Sequence, residues 1–358
     1  MKLGVILFFI LTLALSAFAQ SGRNKPAETP SPTPVPIKRP TVIYVPTQAP
    51  SRDRTVPTAT PTPMPAAVDD DVLTVESTLV PIPVSVLDAG GRPVTTLKLS
   101  DFELTIDGKP AEISEISRSE TPIRLAMLFD NSSSVTLARE FEKEAAIRFF
   151  NRVVRPEKDM AALFSVADYT RLEQPFTRNV SQLVQAIRMF PEPRGATALL
   201  DGIIEVAEYL ASADGRRVVV IVSDGEDTYS DLSTTLEKVL RWLQVANCQV
   251  YVVKTKDFEN FKRTGVRGGN ANIRVLDAER RMLELAKQTG GAVYSPIDER
   301  EMDAAFRQIS AELSQQYILS YYPDEAGRAG DFRSIALNVK SRPDMDVRTR
   351  KGYYVPKR

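Results

Sequence analysis

Hydrophobic positions change period twice along this 358-residue chain. From Val72 to about Ser117 the period is two. Val80, Ile82, Val84 and Val86 alternate with Pro81, Pro83 and Ser85, and two prolines on one side predict an edge strand. Asp88 to Gly91 reads as a turn. Phe102, Leu104 and Ile106 alternate again before Asp107-Gly108, a strong hairpin signal. From Ile123 to about Ser314, continuous apolar runs alternate with stretches of helical period. The runs predict strands at Ile123–Phe129, Met160–Val166, Arg217–Val222 and Gln249–Lys254, with a shorter one at Ala292–Ser295. The helical stretches are Thr136–Val153, Ser181–Met189, Ala198–Ala211, Ser233–Val245, Leu276–Gln288 and Glu301–Gln315. Leu199, Ile203, Val206 and Leu210 form an apolar stripe of the kind that packs into a core. Alternating βα units imply a doubly wound, mostly parallel sheet with helices on both faces, a Rossmann-like α/β fold. Period two then returns: Tyr317, Leu319 and Tyr321, next Ile335, Leu337 and Val339, and a last strand over Val347–Val355 interrupted by Gly352. Between them, Pro323 to Asp331 carries Gly327 and Gly330 and reads as a loop. A hairpin alone is marginal in water, so the late strands are expected to join the early ones in one β module, with the α/β domain inserted between its halves. The other arrangement is two independent β pieces.

Composition adds two segments ahead of these. Met1-Lys2, the apolar Leu3 to Leu15 and Ala17-Phe18-Ala19 before Gln20 have the layout of a secretory signal peptide over residues 1–19. Its apolar run is short for a membrane span, with an uncleaved anchor as the other reading, and no later stretch is apolar enough for one, so the mature chain is expected to be exported, periplasmic or extracellular, without a transmembrane segment. Residues 20–67 are rich in Pro, Thr and Ser, as in Thr29-Pro30-Ser31-Pro32, and read as a disordered or polyproline-like spacer. The expected organisation is therefore signal peptide, spacer, β module over 68–120, α/β domain over 121–314, and closing β strands over 315–358.

Charge and chemistry then narrow the function. Lys plus Arg and Asp plus Glu both total 46, which argues against a nucleic-acid surface. Histidine is absent, so His-based zinc sites and both Ser-His-Asp and Cys-His catalysis are excluded. The single cysteine, Cys248, precludes an intramolecular disulfide and reads as a small buried residue. The Gly-rich stretch Thr264 to Asn270 lacks the setting and the lysine of a phosphate-binding loop, and reads as a flexible connection.

Three loops carry hard oxygen atoms. Asp130-x-Ser132-x-Ser134 follows the apolar run Leu125–Phe129. Arg194-Gly195-Ala196-Thr197 precedes a helix, with Thr197 where an N-cap hydroxyl would stand. Val222-Ser223-Asp224-Gly225-Glu226-Asp227 ends another apolar strand. Ligands of open α/β sheets bind outside the carboxyl ends of the strands, and hard oxygens suit Mg²⁺ or Mn²⁺.

These loops, in this order, resemble the metal ion-dependent adhesion site of von Willebrand factor A-like domains. Val80-Pro81-Ile82-Pro83-Val84-Ser85-Val86, Leu99-Ser100-Asp101-Phe102-Glu103, Tyr317-Ile318-Leu319-Ser320-Tyr321-Tyr322-Pro323 and Lys351-Gly352-Tyr353-Tyr354 extend the resemblance to exported bacterial proteins with VWFA-related domains. The resemblance implies one divalent cation, Mg²⁺ or Mn²⁺, held by Asp130, Ser132, Ser134, Thr197 and Asp224. Asn131 and Ser133 depart from the usual residues at positions that supply no ligand. It also implies a binding role, with an Asp or Glu of an unidentified protein partner completing the coordination. Two other readings stay open: an envelope protein whose cation only stiffens the loops, and a metal-dependent hydrolase, for which only Glu226 or Asp227 offers a base.

Overall fold

Unbroken apolar runs in the central strands decide the layering. A computed structural model describes residues 79–118, 121–267, 272–323, 328–340 and 342–356, all within one unit. The leader, the spacer, Gly268 to Asn270 and Gly327 lie outside the described residues. The strands are β1 (Val80–Leu87), β2 (Phe102–Ile106), β3 (Lys109–Ala111), β4 (Glu115–Arg118), β5 (Ile123–Asp130), β6 (Met160–Val166), β7 (Thr170–Thr177), β8 (Arg216–Ser223), β9 (Cys248–Lys254), β10 (Val293–Tyr294), β11 (Tyr317–Tyr321), β12 (Phe332–Val339), β13 (Asp346–Thr349) and β14 (Gly352–Tyr354). The helices are α1 (Arg139–Val153), α2 (Val180–Arg188), α3 (Leu199–Ala211), α4 (Leu236–Val245), α5 (Lys256–Thr264), α6 (Ile273–Thr289) and α7 (Glu299–Gln315).

The central sheet runs β10-β9-β8-β5-β6-β7, parallel except for β7. Leu125, Met127 and Phe129 of β5 point into one core with Phe149 and Phe150 of α1, Leu183 of α2 and Phe306 of α7. Ala126 and Leu128 point into the other, with Ile203 of α3, Leu243 of α4 and Leu285 of α6. Strands covered on both faces must be apolar throughout, so β5 reads as one hydrophobic run. Each large side chain among these, once removed from water, is worth about 1.5–3 kcal/mol. The doubly wound α/β fold is thus the one the apolar pattern predicts. Cys248, buried at the start of β9, is a core residue whose thiol burial pushes up to about 12.

The remaining strands form two antiparallel sheets, β13-β1-β11-β4 and β14-β12-β2-β3. Their shared core joins Ile82 and Val84 to Phe102, Leu104, Leu319 and Leu337. β1 pairs with β11 and β13, and β2 with β12, so residues before 118 are sheet partners of residues after 317. β2 and β3 pair antiparallel across Asp107-Gly108.

Several expectations need correction. β1 is not an edge strand, since β11 and β13 flank it. The two prolines are tolerated because β13 pairs only with Val84–Leu87, so Pro81 and Pro83 lie along a locally open side. There the Pro83 carbonyl accepts from Thr349 Oγ1 at 3.0 Å and the Pro81 carbonyl from Arg350 Nη2 at 2.8 Å. The closing segment is two short strands in different sheets, and Gly352 lies within β14. A Cβ there would come within 2.6 Å of the Arg333 carbonyl, so glycine permits the pairing with β12. Three elements escaped the pattern, of which β4 (Glu115–Arg118) has no buried residue. β7 carries Pro175 and buries no residue, and α5 buries only Phe258 and Glu259. Among the described residues no helix is long and apolar enough to cross a membrane.

Candidate metal centre

The carboxyl ends of β5 and β8, neighbours in the sheet, bring two acids to one edge. β5 ends in Asp130, fully buried, and β8 is followed by Asp224, also buried. The Asp130 carboxylate shapes its own loop: Oδ1 accepts from Ser132 N at 2.9 Å. Oδ2 accepts from Ser223 Oγ at 2.6 Å, which ties the end of β5 to that of β8. The chain then makes a 3₁₀ turn over Ser133–Val135, placing Ser132 Oγ and Ser134 Oγ 3.0 Å apart.

The second loop is fastened to the first through main-chain groups. Arg194 N donates to the Asn131 carbonyl at 2.9 Å, and Ser133 N to the Gly195 carbonyl at 3.3 Å. Thr197 links it to the third loop: its N donates to Thr228 Oγ1 at 3.0 Å, and its carbonyl accepts from Thr228 N and Tyr229 N at 2.9 and 3.0 Å. The N-cap of α3 is Ala198, with no side-chain cap, so the Thr197 hydroxyl does not cap the helix as its position suggested. The main chain of this buried residue is already committed to the neighbouring loop, which fixes where its hydroxyl starts.

Asp224 completes the set. Its Oδ1 accepts from Glu226 N at 3.0 Å. Its Oδ2 is buried without a hydrogen bond, and its nearest cation is Lys256 Nζ at 3.5 Å. Lys256 Nζ also donates to Glu226 Oε1 at 2.5 Å. Burial works against the Lys256 charge, but Glu226 and Asp224 hold the ammonium above its ordinary value. Burial, and then the charge of Asp224, push Asp130 up to about 6 despite its bonds from Ser223 and Ser132. Two acids that repel each other out of water, one with an unbonded oxygen, form a site short of positive charge. Hard oxygens on the two carboxylates and on Ser132, Ser134 and Thr197, carried by loops that these bonds fasten together, are of the kind that suits a small divalent cation. Among the described residues no three acidic or cysteine side chains gather as a metal-binding group, so the fit depends on the hydroxyls.

Four contributors escaped the sequence reading. Ser223 was read only as part of the third loop, with no role of its own. Arg139 and Glu142 lie on the buried face of α1, and charged residues at core positions were the available signal. The buried Arg139 donates to the Asp130 carbonyl at 3.1 Å and to Asn131 Oδ1. Its guanidinium lies 4.8 Å from the ring centres of both Phe129 and Phe190. Burial holds Glu142 well above the usual carboxylate range, against the attraction of Arg139. No local pattern marks Lys256. Asp227, a candidate base, accepts from Ser230 Oγ at 2.6 Å and Leu200 N at 3.3 Å, and so braces the loop.

Exposed apolar residues rim this edge. Leu137, three residues past Ser134, is 50% exposed, Tyr169 63% and Tyr229 62%. Tyr229 is bonded through its main chain to Thr197, and the β6–β7 turn bearing Tyr169 is joined to α3 by Ala198 N and the Ala167 carbonyl at 2.7 Å.

Residues 125–226, which include all five of these oxygen-bearing residues, match the family profile of the von Willebrand factor type A domain. No curated protein matches the chain. Among solved structures it is similar to the PilB minor pilin from Streptococcus sanguinis, at 13% identity and TM-score 0.41, over 55% of this chain and 62% of that one. It is also similar to the vWF domain of the type V pili tip protein Mfa5 from Porphyromonas gingivalis, at 13% identity and TM-score 0.41, over 53% and 94%. For the pilus adhesin SpaC from Lactobacillus rhamnosus GG the values are 8% and 0.43, over 72% and 48%. The chain thus spans 62% of the pilin's length, less than two thirds. The matched sequence segment, together with a parallel sheet carrying both acids at one edge, shows that this chain carries a von Willebrand factor type A-like domain.

Proposed function

We propose that this domain is an adhesion-type binding module. It holds a protein partner through a divalent cation, Mg²⁺ or Mn²⁺, at Asp130, Ser132, Ser134, Thr197 and Asp224. The observation that carries the reading is the pair of buried acids at adjacent strand ends, with Asp224 Oδ2 lacking a hydrogen bond. A bound cation supplies the missing positive charge and an open position for an Asp or Glu of the partner. The hydroxyls keep the site from adding more negative charge than the ion brings. The exposed apolar residues favour binding over a cation that only stiffens the loops, because Leu137, Tyr169 and Tyr229 sit on or beside the loops that carry the oxygens and offer contact area there. Catalysis is disfavoured because Glu226 is paired with Lys256 and Asp227 is bonded within its loop.

The test is calorimetric titration of the full chain with MgCl₂ and MnCl₂, beside Asp130→Ala and Asp224→Ala. Saturable binding lost in both variants is expected, and binding that survives in both rejects the site. A Glu-bearing peptide library retained in Mg²⁺ but not in EDTA, while its Gln counterpart is not retained, separates partner capture from mere stiffening. Export is part of the same proposal. Its check is the amino terminus of the secreted protein, which should begin at Gln20.

A further inference from the structure

Lys256 is the first residue of α5, just past the end of β9. The turn that presents it is anchored to the edge of β8, where Thr255 N donates to the Ser223 carbonyl at 2.9 Å. Its ammonium faces two acids at unequal distances. Glu226 Oε1 at 2.5 Å is a firm hydrogen bond, whereas Asp224 Oδ2 at 3.5 Å is an ion pair beyond hydrogen-bond range. Lys254, the other nearby lysine, is turned away to Glu279 at 3.2 Å and Asp257 at 3.7 Å. Arg139 is spent on the Asp130 carbonyl and Asn131. Lys256 is therefore the cation paired with Asp224 among the described residues.

We propose that Lys256 is a tethered competitor for the cation at Asp224: its ammonium neutralises the acid while the site is cation-free and lowers cation affinity by repulsion once the ion arrives. This inference rests on the metal reading above and deepens it. A fixed positive charge a few ångströms from a bound dication opposes it at any effective dielectric between protein and water. Glu226 supplies the alternative seat, so the lysine yields without losing its own partner. A site weakened in this way holds its ion best when a partner carboxylate adds negative charge, which couples cation binding to partner binding.

The experiment is calorimetry of the full chain with MgCl₂, comparing wild type, Lys256→Met and Lys256→Arg, with Asp130→Ala as the control for the site. Lys256→Met should bind Mg²⁺ roughly tenfold to a hundredfold more tightly, and Lys256→Arg within about threefold of wild type. Wild-type binding that Asp130→Ala abolishes, with Lys256→Met unchanged or weaker, overturns the role of Lys256 and leaves the metal reading standing. Absence of binding in wild type and Lys256→Met alike overturns both. Thermal unfolding gives a second readout. Lys256→Met should melt below wild type in EDTA and gain more from Mg²⁺ than wild type does. A variant that folds only with Mg²⁺ is the same result at its limit, and one that gains no more than wild type, or does not fold in either condition, contradicts the proposal.

Discussion

Asp130 concentrates the physics of the site. Its carboxyl, ordinarily near pH 4, is lifted to about 6 in the folded, cation-free chain by burial and by Asp224. The sign follows from linkage: the folded state keeps a proton that the unfolded state has released. The stability this group contributes is thus full below about pH 4 and lost as pH rises through about 6. Asp130→Asn removes the loss. In EDTA near neutrality the variant should be more stable than wild type, by up to about 3 kcal/mol, with a flatter pH profile and no response to Mg²⁺. Urea midpoints at several pH values in EDTA and in Mg²⁺ check this. Arg139 acts on the same loop from beneath. Arg139→Leu leaves the Asp130 carbonyl and Asn131 Oδ1 without that donor and Glu142 without its counter-charge. It should cost roughly 2–5 kcal/mol in urea denaturation and weaken Mg²⁺ binding as well.

Among the elements, the exit of α6 is the least forgiving. The helix starts at the Asn272 cap, whose Oδ1 accepts from Val275 N at 3.0 Å, and ends at Gly290-Gly291, where the chain runs into β10 beside β9. A Cβ on Gly291 would sit 1.8 Å from the Val250 carbonyl, inside the backbone of β9. Gly291→Ala must therefore push apart two elements of the central sheet and should cost more than about 3 kcal/mol, seen as a sharp drop in urea midpoint or in soluble yield. Gly330→Ala is the control, since that glycine has φ +89° but open space around it. It should cost only about 1 kcal/mol of backbone strain.

On the scale of the whole molecule, the α/β layer and the antiparallel sheets meet at a buried acid. Glu312 of α7 accepts from Tyr294 OH at 2.6 Å, Tyr251 OH at 3.3 Å and Arg348 Nη1 at 3.1 Å. These donors come from β10, β9 and β13, so one carboxylate ties a helix to strands of two sheets. Burial lifts its carboxyl, and the Arg348 charge opposes the lift. Arg348→Ala should lower stability near neutrality by roughly 3 kcal/mol while both layers still unfold in one transition. Without the guanidinium, Glu312 is raised further, so the folded state binds a proton more readily and the deficit should shrink toward acid pH. Coincident far-UV circular dichroism and tyrosine fluorescence transitions, recorded at neutral and acid pH, test both points.

What the sequence determined by itself was local. An apolar run without alternation requires cover on both faces, so β5, β6, β8 and β9 were legible as central strands, and Asp107-Gly108 as a turn. The oxygen-bearing loops were legible because strand ends and polar loops adjoin in the chain. What only the tertiary structure decided depends on pairs far apart in sequence. The Ser223 hydroxyl reaches Asp130 across 93 residues. Lys256 meets Asp224 because β9 lies beside β8, and the proline half of β1 is open because β13 covers only its other half. β7 and α5 stayed hidden because each buries too little apolar surface to impose a period on its sequence. Periodicity records which face of an element is dry. It carries no record of which distant element does the covering, and in this protein that choice places the charges around the two acids.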